Sequence, residues 1–176
     1  MTKPLVAILM GSRSDLPVMG KAVAVLREFG VPTETQVLSA HRAPEAVAAY
    51  VSRAESNGVE VFICAAGMAA HLAGAVAART ALPVIGVPLS ATLGGLDALL
   101  STVQMPPGIP VATVGVDGAK NAAYLAVSIL SLQHPEFGDK LRAFRAKMAG
   151  DATASAIVTE DELRPTGGSG PGGKLS

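Results

Sequence analysis

Short apolar runs and longer amphipathic stretches alternate along most of the chain. Leu5–Met10 is an unbroken apolar run, partly β-branched, that stops at Gly11-Ser12, which predicts a buried strand entering a turn. From Leu16 to Phe29 apolar residues recur at 16, 19, 22, 23, 26 and 29, a helical spacing. Asp15 stands just before that stretch, Pro17 just inside it, and Gly30 closes it. Thr33–Leu38 alternates and predicts a second strand. Pro44 suits the first turn of a helix running to about Asn57, with Gly58 as its stop. The same reasoning predicts strands at Val61–Ala66, Pro83–Val87 (ended by Pro88) and Pro110–Val114. Helices are predicted at His71–Thr80, Gly95–Gln104, Asn121–Gln133 and Glu136–Met148.

Strands of about five residues alternating with helices of roughly 10–14 imply parallel βαβ units with right-handed crossovers. The predicted fold is therefore α/β: a three-layer, doubly wound parallel sheet, flavodoxin-like, with five strands and a C-terminal helix extension. The main domain spans residues 1–150 and the extension residues 151–176. Within the extension, Ile157–Leu163 is expected to form one short structured piece. Arg164–Ser176 (RPTGGSGPGGKLS) is expected to be a mobile tail.

Composition narrows the functional classes. The 176 residues are 49% hydrophobic and 16% charged, too apolar for intrinsic disorder. Lys+Arg and Asp+Glu both total 14, so no basic excess calls for nucleic acid. Aromatic residues are 3%, with no Trp and only Tyr50 and Tyr124 as tyrosines, a poor stock for stacking on bases. Cys64 is the only cysteine, which excludes an intrachain disulfide and a multi-cysteine metal site; inside a strand it reads as an inert buried thiol. The N-terminal apolar run is too short for a signal peptide, and no stretch reaches the ~18 apolar residues of a membrane span, so the expected location is cytoplasmic. Recurrent Ala-Ala pairs and low charge suggest closely packed helices and surface covered by other subunits.

Ligands of parallel α/β sheets bind outside the carboxyl ends of the strands. Four loops leave such ends: 11–15, 39–44, 67–71 and 88–95. In Gly11-Ser12-Arg13-Ser14-Asp15, glycine permits close backbone approach, the serines offer hydroxyls, and the following helix N-terminus favours an anion. Asp15 suits ribose hydroxyls. Taken alone, simple helix capping explains this loop about twice as well. In Ser39-Ala40-His41-Arg42, the arginine suits a phosphate and the histidine a proton transfer near neutrality. The structural alternative has His41 capping the helix and Arg42 pairing with Glu45. Gly67-Met68-Ala69-Ala70-His71 offers tiny side chains against which a flat ring can rest. His71 is equally well read as a structural histidine. Ser90–Asp97 (SATLGGLD) is a flexible loop entering a helix, Asp97 a first-turn acid, and His134 a helix-end residue. No metal constellation and no GxGxxG fingerprint is present.

These motifs together are specific. GSRSDLPVM (11–19), SAHRAPE (39–45), GMAAHLAG (67–74), PVIGVPL (83–89), LDALLSTVQMPPGIPVATV (96–114) and NAA (121–123) resemble, in order, the class I N5-carboxyaminoimidazole ribonucleotide mutases of purine biosynthesis. The resemblance covers residues 4 to 148. It implies conversion of N5-carboxyaminoimidazole ribonucleotide to 4-carboxy-5-aminoimidazole ribonucleotide, with no metal or organic cofactor, in a homo-octamer with sites at subunit contacts. It places the family's catalytic histidine on His41 and its phosphate and ribose contacts on Ser12, Asp15 and Arg42. Ser39, Ala40, Gly67, Met68, Ala69, Ala70 and His71 complete the expected substrate site. The chain departs from the family where GGAAHLPG is usual, with Met68 and Ala73 in place of Gly and Pro, and at Gly115-Val116-Asp117-Gly118. Three other readings compete: direct carboxylation of aminoimidazole ribonucleotide (AIR), a flavin or nucleotide carrier, and a receiver-like signalling domain. Few aromatics speak against flavin, and Asp15 stands nearly alone where a receiver needs an acidic cluster.

Overall fold

The computed structural model describes residues 3–154, 156 and 158. The expected piece at Ile157–Leu163, apart from Val158, and the tail at Arg164–Ser176 lie outside the described residues. The chain divides into two compact units at Leu141 and Arg142. Among the described residues the first unit holds five strands: β1 (Val6–Met10), β2 (Thr33–Val37), β3 (Val61–Gly67), β4 (Val84–Leu89) and β5 (Ala112–Thr113). Its helices are α1 (Leu16–Phe29), α2 (Pro44–Ser56), α3 (Leu72–Ala77), α4 (Leu96–Val103) and α5 (Ala119–Leu130). The last helix, α6 (Pro135–Ala154), begins in the first unit and continues into the second.

All strand pairs are parallel and the sheet order is β2-β1-β3-β4-β5, the flavodoxin-like winding. Every residue of β1 is buried, as a strand covered on both faces must be. On one face, Ala7, Leu9, Phe62, Cys64 and Val84 form a core with Val47, Tyr50 and Val51 of α2 and Leu72, Ala73 and Val76 of α3. On the other lie α1, through Met19, Ala22 and Leu26, and α5, through Ala122, Ala126 and Val127. Burial of each large aliphatic side chain contributes about 1.5–3 kcal/mol. α1 stops because Gly30 takes φ 73°, a left-handed cap open to glycine, and its N–H donates to the Arg27 carbonyl. β2 is the partly exposed edge. Its Glu34 accepts a 2.8 Å bond from the Tyr50 hydroxyl, and burial together with that carboxylate pushes the Tyr50 phenol up.

Pro88 does not end β4. The strand runs through it to Leu89, with Pro88 opposite Ala66 of β3. The missing N–H faces the β5 side, where the Pro88 carbonyl accepts from the Asp117 N–H at 2.9 Å. The same proline explains why β5 has two residues rather than the expected five: once Gly86 has accepted from Val114, the next donor on that side of β4 would be Pro88. α3 is shorter than its pattern because the Thr80 hydroxyl accepts from the Leu82 N–H and turns the chain, while donating to the Glu55 carboxylate. α6 is longer than its pattern, continuing through Gly150.

Candidate active site

The loops after β1, β2, β3 and β4 meet at the carboxyl rim around one cavity of about 420 Å³. After β1, the chain forms a 3-10 turn at Arg13–Asp15 that runs into α1. Ser12 and Asp15 cap it reciprocally: the Ser12 N–H donates to Asp15 Oδ2 at 2.9 Å, and Ser12 Oγ accepts from the Ser14 N–H at 3.3 Å. Ser14 Oγ also donates to Ser12 Oγ at 2.9 Å. The capping reading of these residues is therefore correct, and they line the cavity as well. These bonds commit the Ser12 N–H, the Ser14 N–H and the Ser14 hydroxyl proton within the loop and leave the Ser12 hydroxyl proton for a ligand at the start of α1.

After β2, the Arg42 N–H is held by Ser39 Oγ at 3.3 Å, and the guanidinium reaches across to donate to the Gly11 carbonyl at 3.3 Å. Arg42 thus bridges to the serine loop rather than pairing with Glu45. The N-cap of α2 is Ala43, so His41 is no cap either. Instead His41 Nε2 lies 2.7 Å from His71 Nδ1, with the rings edge-on at 86°. His71 is the N-cap residue of α3, but its side chain makes no capping bond. A bond between two imidazole nitrogens needs one N–H and one lone pair, so each ring fixes the other's tautomer and orientation.

Of the residues singled out in the sequence, Ser12, Asp15, Ser39, Ala40, His41, Arg42, Gly67 and Met68 surround the cavity. His71 joins them through His41. Ala69 is exposed and Ala70 is buried, and neither lines it. Gly11, Ser14, Ala66, Leu72 and Ala91 complete the lining. Ala91 comes from the fourth rim loop, the Gly- and Ser-containing stretch after β4. A Cβ on Gly67 would stand 3.0 Å from the Ala91 Cβ, so the methyl of Ala91 sits where only glycine leaves room.

Backbone strain concentrates on this rim. Among the described residues the non-glycine residues with left-handed backbone are Met68 (φ 56°), Leu93 (φ 45°) and Asp117 (φ 56°), in the loops after β3, β4 and β5 respectively. Such conformations cost of order 1–3 kcal/mol and gather at functional sites. The expected flexible loop at Ser90–Asp97 contains a 3-10 turn, Leu93–Gly95, with three successive positive φ values. Asp97 lies in the first turn of α4 and accepts from the Thr92 hydroxyl.

Other reactive side chains lie elsewhere. Cys64 is buried in β3, and burial pushes its thiol well above the usual range. His134 sits between α5 and α6 and meets Glu60 at 3.0 Å. Among the described residues no group of three metal-ligating side chains stands together. No described helix is long and apolar enough to cross a membrane.

A parallel α/β sheet with a histidine pair, an arginine and a serine loop around one rim cavity marks a candidate small-ligand site of the doubly wound class. Sequence comparison gives the family. The sequence model of AIR carboxylase (AIRC) matches residues 5–151. The N5-carboxyaminoimidazole ribonucleotide mutase of Pyrococcus horikoshii is 58% identical over 147 residues, 83% of each chain. That of Saccharolobus solfataricus is 51% identical over 155 residues, 88% of this chain and 98% of its own. A crystal structure of Treponema denticola PurE superposes with a TM-score of 0.74 at 30% identity, covering 88% of this chain and 99% of that one. This chain belongs to the AIR carboxylase family.

Proposed function

We propose that this chain is an N5-carboxyaminoimidazole ribonucleotide mutase of purine biosynthesis. The observation that carries the reading is the 2.7 Å His41–His71 pair beside Arg42 at the rim cavity, in a chain 58% identical to a protein of that name. Arg42 and Ser12 take the phosphate, since a fixed guanidinium and a hydroxyl at a helix start suit a dianion. Asp15 takes the ribose hydroxyls. The aminoimidazole then rests near Gly67 and Ala66, where small side chains admit a flat ring.

His41 shuttles one proton. In the first step the carbamate N–C bond breaks, CO2 leaves, and the exocyclic nitrogen receives the proton of His41. In the second, carbon 4 attacks the trapped CO2, the new C–C bond forms, and His41 removes the proton from carbon 4. The proton is returned and the histidine is ready for the next turnover. His71 holds the His41 ring in register. CO2 must not escape between the steps, which calls for an apolar wall, and Ala66, Leu72 and Ala91 supply one.

A homo-oligomer, the octamer of the resemblance, is part of the proposal. Its support is an apolar stripe that the single chain leaves exposed: Leu96, Leu100 and Val103 at helical spacing on α4, with Leu93 at 79% exposure before it. The reaction is placed in the cytoplasm because its substrate is a phosphorylated nucleotide.

The test is a paired assay, one sample given N5-carboxyaminoimidazole ribonucleotide and the other AIR with bicarbonate, with product followed by absorbance. Rapid product from the first and little from the second establishes the mutase. Efficient product from AIR moves the assignment to direct carboxylation, the reaction that the family's name describes. No product from either overturns both.

A further inference from the structure

We infer that Asp117 is a positioning residue for the cavity, acting through the loop that carries Ala91; the inference rests on the cavity being the substrate site. The turn after β5 reaches over the carboxyl end of β4 and holds it at three points. The Asp117 N–H donates to the Pro88 carbonyl at 2.9 Å. Asp117 Oδ1 accepts from the Ser90 N–H at 3.0 Å. The Val116 side chain fills the space left by Gly95, where a Cβ would meet Val116 Cγ1 at 2.5 Å. Pro88 and Ser90, one on each side of Leu89, and the glycine that ends the loop are thus tied to one two-residue segment.

The arrangement has a function beyond closing the turn. Pro88 ends the β4–β5 ladder, so beyond Gly86 the strand pairing no longer fixes this side of β4. Asp117 takes over where the ladder stops, supplying one backbone donor and one side-chain acceptor in its place. Ala91 follows Ser90 directly, and its Cβ packs on the bare Cα of Gly67. Movement of Ser90 therefore moves a wall of the cavity against the loop of Met68. Asp117 holds φ 56° to make both bonds. Aspartate tolerates that conformation better than most side chains, but glycine adopts it with no strain.

That difference supplies the test. D117G keeps the backbone conformation and the Pro88 bond and removes only the acceptor for Ser90. D117N keeps an acceptor oxygen without the charge. In the carbamate assay, D117G is expected to raise KM about three- to tenfold, the loss of one hydrogen bond, with kcat within about twofold. Its thermal midpoint stays at or above that of the unaltered chain, and hydrogen exchange at residues 89–92 quickens. D117N restores KM and protection. A D117G protein with unchanged KM and unchanged exchange overturns the inference, as does a D117N protein impaired as much as D117G. The unaltered chain is assayed first: absence of turnover there overturns the functional reading, and exchange in D117G still decides whether Asp117 holds the loop.

Discussion

Two histidine contacts at opposite rims of the same sheet show how position decides what a side chain does. At the carboxyl rim His41 meets His71, ring nitrogen to ring nitrogen at 2.7 Å, both exposed beside a cavity. At the amino side His134 meets Glu60, the residue just before β3, at 3.0 Å, both part-buried. The imidazole–carboxylate contact is self-sufficient, an opposite charge or a hydrogen bond at any protonation state of the ring. The imidazole–imidazole contact has no counter-charge of its own. It leaves outward ring atoms available to a ligand and brings Arg42 and the serine loop alongside. Equivalent residues thus become a stabilising pair at one end and a candidate proton shuttle at the other.

The largest effect that would break this contrast is at His41. H41N is expected to retain substrate binding and lose about 10²–10⁴-fold in kcat; turnover like the unaltered protein's would remove the mechanism. H71A, which frees the His41 ring, is expected to lower kcat by about a hundredfold with less change in KM, measured in the same assay. Should H71A match the unaltered chain, the pairing has no catalytic meaning. R42A should weaken substrate binding by roughly 10–100-fold, the worth of a charged hydrogen bond of about 1.5–3 kcal/mol; an unchanged affinity by calorimetry would put the phosphate elsewhere. The smallest effect belongs to the amino side. H134Q is expected to leave turnover intact and to cost at most about 1 kcal/mol in urea unfolding. A loss of activity there would erase the distinction between the two pairs.

The core offers a separate check. Because burial raises the Cys64 thiol, the group stays protonated well into alkaline pH. An aromatic disulfide reagent at neutral pH should find no reactive thiol in the native chain and one after denaturation. Prompt native reaction would mean that β3 is not packed on both faces.

Much of this was legible in the residue pattern. The apolar runs, the helical spacing of α1, Pro44 and Gly30 named the elements, because parallel buried strands and amphipathic helices have distinct periods. The rim loops were legible because Gly, Ser, His and Arg interrupt apolar strands at their ends. Pro88 misled because a proline's effect depends on which side of the strand its missing N–H faces, and only the sheet shows that side. Thr80 misled because its hydroxyl was free in the sequence to cap a turn or continue a helix. Ala91 carried no chemical signal of its own, since an alanine becomes a cavity wall only through what it packs against.

The sequence by itself determined the βαβ rhythm, the absence of a second cysteine, and the four loops on which polar residues stand at strand ends. These follow from local periodicity and composition. Only the tertiary structure decided that His41 and His71, thirty positions apart, share a hydrogen bond, that Arg42 turns to Gly11 rather than to Glu45, and that Asp117 reaches Ser90. Each depends on strand order and on crossovers that bring distant loops within a few ångströms, and no local pattern encodes such distances.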